Sequence, residues 1–112
     1  MKIYHNPRCQ KSRETLKIIK ESGKDIEIIK YLEQIPSESE LKEIVEKLKI
    51  PAKDILRKEE KIFKEYYKGM SLSEGDWIKV MVKHPKLIQR PIVIKGDKAV
   101  LGRPPENVKQ LL

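Results

Sequence analysis

Cys9 is the only cysteine of the chain, and it stands among the cations Arg8, Lys11 and Arg13. A single cysteine excludes an internal disulfide and argues against a cysteine-rich metal site. It can be a buried inert residue, an accidental surface thiol or a nucleophile, and free cysteine is commonly buried. Cys9, however, falls where a predicted strand has ended and a helix begins. Because a helix N-terminus and nearby cations both favour a thiolate, the position favours a nucleophile.

The segment Cys9-Gln10-Lys11-Ser12 has a serine where a two-cysteine redox motif has its resolving cysteine. Ser12 can donate a hydrogen bond to the thiolate or to a bound anion, or it can be an ordinary residue of a first helical turn. Whatever Cys9 attacks, an external thiol must release the adduct. We expect glutathione, acting with glutaredoxin, to be that co-substrate, and we expect no bound cofactor or metal.

The arginines are few, and three of them lie at the ends of predicted helices or strands. The chain has five arginines and 20 lysines, and arginine offers the planar, bidentate fork that suits an oxyanion. Arg57, Arg90 and Arg103 each lie next to a predicted helix or strand end, where ligands of an α/β sheet commonly gather. Each can also be an ordinary surface residue. Because helix N-termini bind anions, these residues and Cys9 together predict an oxyanion site.

Composition limits the class of protein. The chain has 112 residues, 38% of them apolar and 38% charged, with a net charge of +8. No apolar run approaches the roughly 18 residues of a membrane span, and the N-terminus lacks the apolar stretch of a secretory signal. We therefore expect a cytoplasmic protein with no membrane partner. The cations are interleaved with 17 acidic residues, which is typical of a solvated surface, so nucleic-acid binding is not expected.

The apolar pattern predicts two groups of strands with helices between them. Predicted strands cover residues 2–5, 25–31, 91–94 and 99–101, with a helix over 9–22. Gly96-Asp97 is typical of a tight hairpin. Two Ser/Glu pairs at capping-box spacing, Ser37 with Glu40 and Ser71 with Glu74, predict helix starts in the middle of the chain.

The order of these elements predicts an α/β fold of the thioredoxin-like type. A βαβ unit comes first, a helical insertion occupies about residues 36–85, and a ββα unit follows, with its last helix starting at Pro104-Pro105. The sheet is expected to be mixed and four-stranded. This length is typical of one domain, so we expect a single domain over residues 1–112.

Several segments of this sequence resemble the glutaredoxin-dependent arsenate reductase family, across essentially the whole chain and in the same order. They are Tyr4-His5-Asn6-Pro7-Arg8-Cys9-Gln10-Lys11-Ser12-Arg13, Ile55-Leu56-Arg57-Lys58, His84-Pro85-Lys86-Leu87-Ile88-Gln89-Arg90-Pro91-Ile92-Val93 and Gly102-Arg103-Pro104.

The resemblance implies a role for each matching residue. The cysteine matching Cys9 attacks arsenate, and three arginines hold the oxyanion and the thiol–arsenic intermediates: Arg57, Arg90 and Arg103. Glutathione then attacks, and glutaredoxin resolves the mixed disulfide. The histidine matching His5 supports the thiolate, and the proline matching Pro91 follows a cis peptide bond beside the cysteine. Arg8 and Ser12 belong to the same predicted site.

Two other functions stay open. The same superfamily contains a transcriptional regulator of the Spx type that binds RNA polymerase, although those proteins commonly use a two-cysteine switch. A general glutathione-linked thiol transferase would need Cys9 but not the three arginines.

Overall fold

The computed structural model describes residues 1–112, and the chain separates into two compact units. The first unit contains residues 1–34 and 90–112, and the second contains residues 35–89. The helices predicted as an insertion at about 36–85 lie in the second unit. The assignment of one domain to residues 1–112 stays a prediction. No helix is long and apolar enough to cross a membrane.

The first unit is built on a mixed four-stranded sheet, which confirms the predicted α/β fold class. Its strands are β1 (Lys2–His5), β2 (Glu27–Lys30), β3 (Ile92–Lys95) and β4 (Lys98–Leu101). Their order is β2-β1-β3-β4, with β1 parallel to β2 and antiparallel to β3, and β3 antiparallel to β4. The strand predicted over 25–31 is shorter than expected. The edge strand β2 has only one neighbour, and most of its side chains are exposed.

Helix α1 (Gln10–Glu21) connects the two parallel strands, as a βαβ crossover requires. It ends at Ser22, and Gly23 follows with a φ of 77°, a conformation that glycine adopts without steric cost. The predicted C-terminal helix is present as a 3₁₀ helix over Pro105–Leu111 that packs on α1. The core between sheet and helices contains Ile3, Ile19, Val93, Val108 and Leu111.

The second unit is helical. It contains α2 (Glu38–Leu48), α3 (Lys61–Tyr66) and α4 (Glu74–Lys83), with 3₁₀ turns at Ala52–Ile55 and Pro85–Leu87. The capping box predicted at Ser37 is confirmed. Glu40 N–H donates to Ser37 Oγ (3.1 Å), and Ser37 N–H donates to Glu40 Oε1 (3.4 Å).

The cap predicted at Ser71 with Glu74 is wrong. Ser73 is the residue that begins α4, and its Oγ accepts the Asp76 N–H at 3.2 Å. The pair Ser73 and Asp76 has the same spacing as the predicted pair, so the pattern alone does not separate them. The Glu74 carboxylate instead accepts the N–H of Ala52, with both oxygens at 3.1 Å.

Gly102, just after β4, packs tightly against Thr15 of α1 and against Pro91. Its N–H donates to Pro91 O (2.9 Å). An added Cβ would lie 2.6 Å from Thr15 Oγ1 and 2.7 Å from Pro91 Cγ. Because Arg103 directly follows Gly102, this contact also determines the position of the Arg103 Cα, from which the guanidinium side chain extends.

Gly102→Ala should therefore destabilise the protein by about 1–3 kcal/mol, the usual cost of overpacking a tight interior. Gly75→Ala is the matched control, because Gly75 lies in α4 with nothing within 4 Å of its Cβ position. There the substitution should be neutral or stabilising by up to about 1 kcal/mol. Urea denaturation followed by circular dichroism measures both, and equal stability of the two variants would contradict the tight packing of Gly102.

Candidate active site

Cys9 is the N-cap of α1 and lies at the end of a tight turn that follows β1. Its N–H donates to Asn6 O at 3.0 Å, and its carbonyl accepts the Arg13 N–H at 3.0 Å. Asn6 Oδ1 accepts the N–H of Arg8 at 3.0 Å, which fixes the turn from within. No side chain caps the helix, so the N–H groups of the first turn are available to the cysteine sulfur.

The pKa of the Cys9 thiol is lowered from its ordinary value by a balance of opposing effects. Burial raises it, because a buried thiolate loses hydration. The backbone N–H of Ser12, the hydrogen bond and charge of Arg90, and the backbone N–H of Lys11 lower it, and together they outweigh burial. A half-buried thiol with a lowered pKa is the state that a nucleophilic cysteine requires.

Arg90 and Arg103 both direct positive charge toward this sulfur. Arg103 Nη1 lies 3.9 Å from Cys9 Sγ and donates to the carbonyl of Arg90 at 3.0 Å. The Arg90 side chain contributes a hydrogen bond and a positive charge to Cys9, while its Nε is buried without a partner. The peptide bonds that precede Pro91 and Pro104 are both cis, and the resemblance implies the first of these.

His5 and Ser12 contact each other behind the cysteine. His5 Nδ1 lies 2.6 Å from Ser12 Oγ, and Ser12 Oγ also accepts the Asn6 N–H at 3.1 Å. Burial lowers the pKa of His5, and three cations lower it further: Lys30, Lys20 and Arg13. The imidazole is therefore held neutral. Ser12 acts on the cysteine through its backbone N–H, while its hydroxyl connects His5 to the turn.

The cysteine, two arginines and a helix N-terminus form a site for a nucleophilic thiolate and an anion. The chain matches the model of the ArsC family over residues 4–111. It belongs to the ArsC family. This member is 44% identical over 114 residues to YfgD of Escherichia coli, an uncharacterised protein, covering 100% of this chain and 96% of that protein.

Two further relatives of this ArsC family member have names that state an activity. An arsenate reductase of Haemophilus influenzae is 42% identical over 112 residues, covering 98% of this chain and 97% of the relative. The solved structure of an arsenate reductase from Vibrio cholerae is 44% identical and superposes with a TM-score of 0.95, covering 100% of this chain and 98% of that chain.

Arg57 of this ArsC family member lies in the second unit and has two acidic partners. Its Nε lies 3.2 Å from Glu59 Oε1, and its Nη1 lies 2.8 Å from Glu60 Oε1. Its N–H donates to Leu87 O at 2.8 Å. The oxyanion-binding role that the resemblance gives to Arg57 stays a prediction. Arg8, in the turn before Cys9, has an exposed side chain.

Sequence reasoning missed Asn107, which holds the backbone of Leu101 and Arg103. Its Nδ2 donates to Leu101 O and to Arg103 O, both at 3.2 Å. The available signal was an amide side chain in the first turn of the last helix, four residues after Arg103. Thr15 was missed as well. Its hydroxyl donates to Lys11 O (2.8 Å) and lies 3.5 Å from Gly102 O.

Arg90→Gln should raise the pKa of Cys9, because it removes both a hydrogen bond and a charge that lower it. With a higher pKa, less thiolate is present at neutral pH, so alkylation by iodoacetamide slows and its pH midpoint moves upward. Lys17→Gln is the control, since Lys17 is an exposed cation of α1 that pairs with Glu21 (3.8 Å). An unchanged midpoint in Arg90→Gln would show that Arg90 does not stabilise the thiolate.

Asn107→Ala should release the backbone around Arg103 and weaken its contact with Cys9. We expect the pH midpoint of Cys9 alkylation to rise while the fold is retained. Ser22→Ala is the control. It removes the hydrogen bond that Ser22 Oγ donates to Ile19 O (2.6 Å), at the opposite end of α1. It should lower stability by about 1 kcal/mol without moving the midpoint. If Asn107→Ala also leaves the midpoint unchanged, Asn107 has only a structural role.

Proposed function

We propose that this protein reduces arsenate to arsenite through the thiolate of Cys9, with glutathione and glutaredoxin as the source of electrons. One observation carries the proposal: Cys9 Sγ lies at the start of α1 and 3.9 Å from the guanidinium of Arg103. A nucleophile and a cation for an oxyanion thus occupy one site. The named activity of the Haemophilus influenzae and Vibrio cholerae relatives supports arsenate as that oxyanion.

The first step is attack of the Cys9 thiolate on arsenic. A sulfur–arsenic bond forms and one arsenic–oxygen bond breaks, with the oxygen leaving as water after it takes up protons. Arsenic stays in the As(V) state. The guanidinium groups of Arg103 and Arg90 offset the negative charge of the oxyanion during this step, which is the usual role of guanidinium groups at phosphoryl-like centres.

The second step is the reduction. A glutathione thiolate attacks the sulfur of Cys9, and a disulfide forms between the two sulfurs. The sulfur–arsenic bond breaks with its electron pair on arsenic, which leaves as arsenite, As(III). Two thiols are thereby oxidised and arsenic gains two electrons, so the step needs no bound cofactor.

The last step restores Cys9. Because the chain has no second cysteine, it cannot resolve the mixed disulfide internally. Glutaredoxin attacks the glutathione sulfur and releases Cys9 as a thiolate. The lowered pKa of Cys9 makes it a good leaving group in this exchange.

The test is arsenate-dependent NADPH oxidation with glutathione, glutathione reductase and glutaredoxin. Cys9→Ser should abolish turnover. Arg103→Gln should lower kcat/KM for arsenate by about 10²–10³, the effect of removing one donor to a developing oxyanion. Lys17→Gln, which removes an exposed cation of α1 that pairs with Glu21, should keep full turnover.

Reduction of a small disulfide with the same proteins separates the alternatives. A general thiol transferase would turn over the disulfide but not arsenate, and Arg103→Gln would leave its activity intact. Absence of arsenate turnover in the unaltered protein, with Cys9 still reactive to iodoacetamide, would refute the proposed function. Full arsenate turnover in Arg103→Gln would refute the role of that arginine alone.

A further inference from the structure

Two tight turns follow the parallel strands β1 and β2 at the same edge of the sheet. The register pairs His5 with Lys30, the last residue of each strand. Beyond β1, the turn is closed by Cys9 N–H to Asn6 O (3.0 Å). Beyond β2, it is closed by Glu33 N–H to Lys30 O (2.9 Å). The carboxyl ends of neighbouring parallel strands are where α/β proteins commonly bind ligands.

A cavity of about 270 Å³ opens here, lined by residues of both turns, and we call it the β1–β2 cleft. Its wall carries two cations, Arg8 and Lys30, and one carboxylate, Glu33. None of these three charged groups forms an ion pair. Pro7 and Leu32 add apolar surface, and Leu32 is 39% exposed.

We propose that the β1–β2 cleft is the binding site for glutathione. The inference rests on the proposed function, which makes glutathione the co-substrate. Glutathione carries two carboxylates and one ammonium, and the cleft offers two unpaired cations and one unpaired carboxylate. The apolar part of the wall faces the methylene groups of the tripeptide. Charge and polarity therefore match group by group.

The positions of the charges determine the orientation of the peptide. Lys30 and Glu33 belong to one turn, so they bind the carboxylate and the ammonium that share the γ-glutamyl end. Arg8 binds the glycine carboxylate. The glycine carboxylate is separated from the thiol by fewer bonds than the γ-glutamyl carboxylate is. Because Arg8 directly precedes Cys9, the glycine end places the thiol on the side of the cleft nearest to Cys9.

The cleft adjoins the cysteine along the chain. Arg8 lines the cleft and directly precedes Cys9, and consecutive Cα atoms are about 3.8 Å apart.

The experiment titrates the protein with S-methylglutathione, which cannot form a disulfide, by isothermal titration calorimetry in the absence of arsenate. The unaltered protein should bind it saturably. Lys30→Gln should weaken binding about fivefold, the effect of losing one solvent-exposed charge contact. Lys24→Gln removes the same charge at an exposed position before β2 and should change nothing.

A second ligand tests the orientation. S-methyl-cysteinylglycine lacks the γ-glutamyl residue, and thus both groups assigned to Lys30 and Glu33. It should bind more weakly than S-methylglutathione, and Lys30→Gln should not weaken it further. The KM for glutathione in arsenate reduction should rise in Lys30→Gln and stay constant in Lys24→Gln.

The outcomes separate this inference from the proposed function. No saturable binding by the unaltered protein, or equal effects of Lys30→Gln and Lys24→Gln, would overturn the cleft as the glutathione site even if arsenate turnover is normal. Binding that depends on Lys30 in a protein that does not reduce arsenate would support the cleft and refute arsenate as the substrate.

Discussion

The lowered pKa of the half-buried Cys9 thiol depends first on the start of α1 at that residue, and then on Arg90. The backbone N–H groups of Ser12 and Lys11 lie where they lower the pKa of the thiol, and burial works against them. A backbone donor is kept in every substitution of its own residue except the one by proline. What can be lost is the position of the helix start, which depends on the turn from Asn6 to Cys9. The turn and the sheet beneath it are thus conditions for the chemistry.

The cations of the site are supplied from the other end of the sequence. Arg90 precedes β3 and Arg103 follows β4, so one hairpin delivers both to the start of α1. Gly102 permits the hairpin to approach Thr15 closely, and Asn107 donates to the carbonyls of Leu101 and Arg103. Small, uncharged residues therefore determine where the charged groups can act. This separation of positioning from chemistry is common in sites built on loops between rigid elements.

Local signals made much of this structure predictable. The four strands, the start of α1 at Cys9 and the Ser37 capping box follow from alternation, turn residues and spacing within a few positions. The contacts that were missed join distant segments: Thr15 and Gly102 are 87 residues apart in sequence. The error at Ser71 has a different cause, because two overlapping Ser-x-x-acid patterns compete and the carboxylate of Glu74 is engaged by Ala52 N–H. Local spacing cannot decide such a competition.

The hydroxyl of Ser12 has a consequence for how this protein can evolve. Ser12 is fully buried, and its Oγ contacts both His5 Nδ1 and the Asn6 N–H. A cysteine at this position would create a two-cysteine motif with Cys9. It would also replace a short, strong hydrogen bond with a larger and weaker sulfur contact in a space that has no room to spare. Packing around the Ser12 hydroxyl thus opposes the conversion of this segment to a two-cysteine motif.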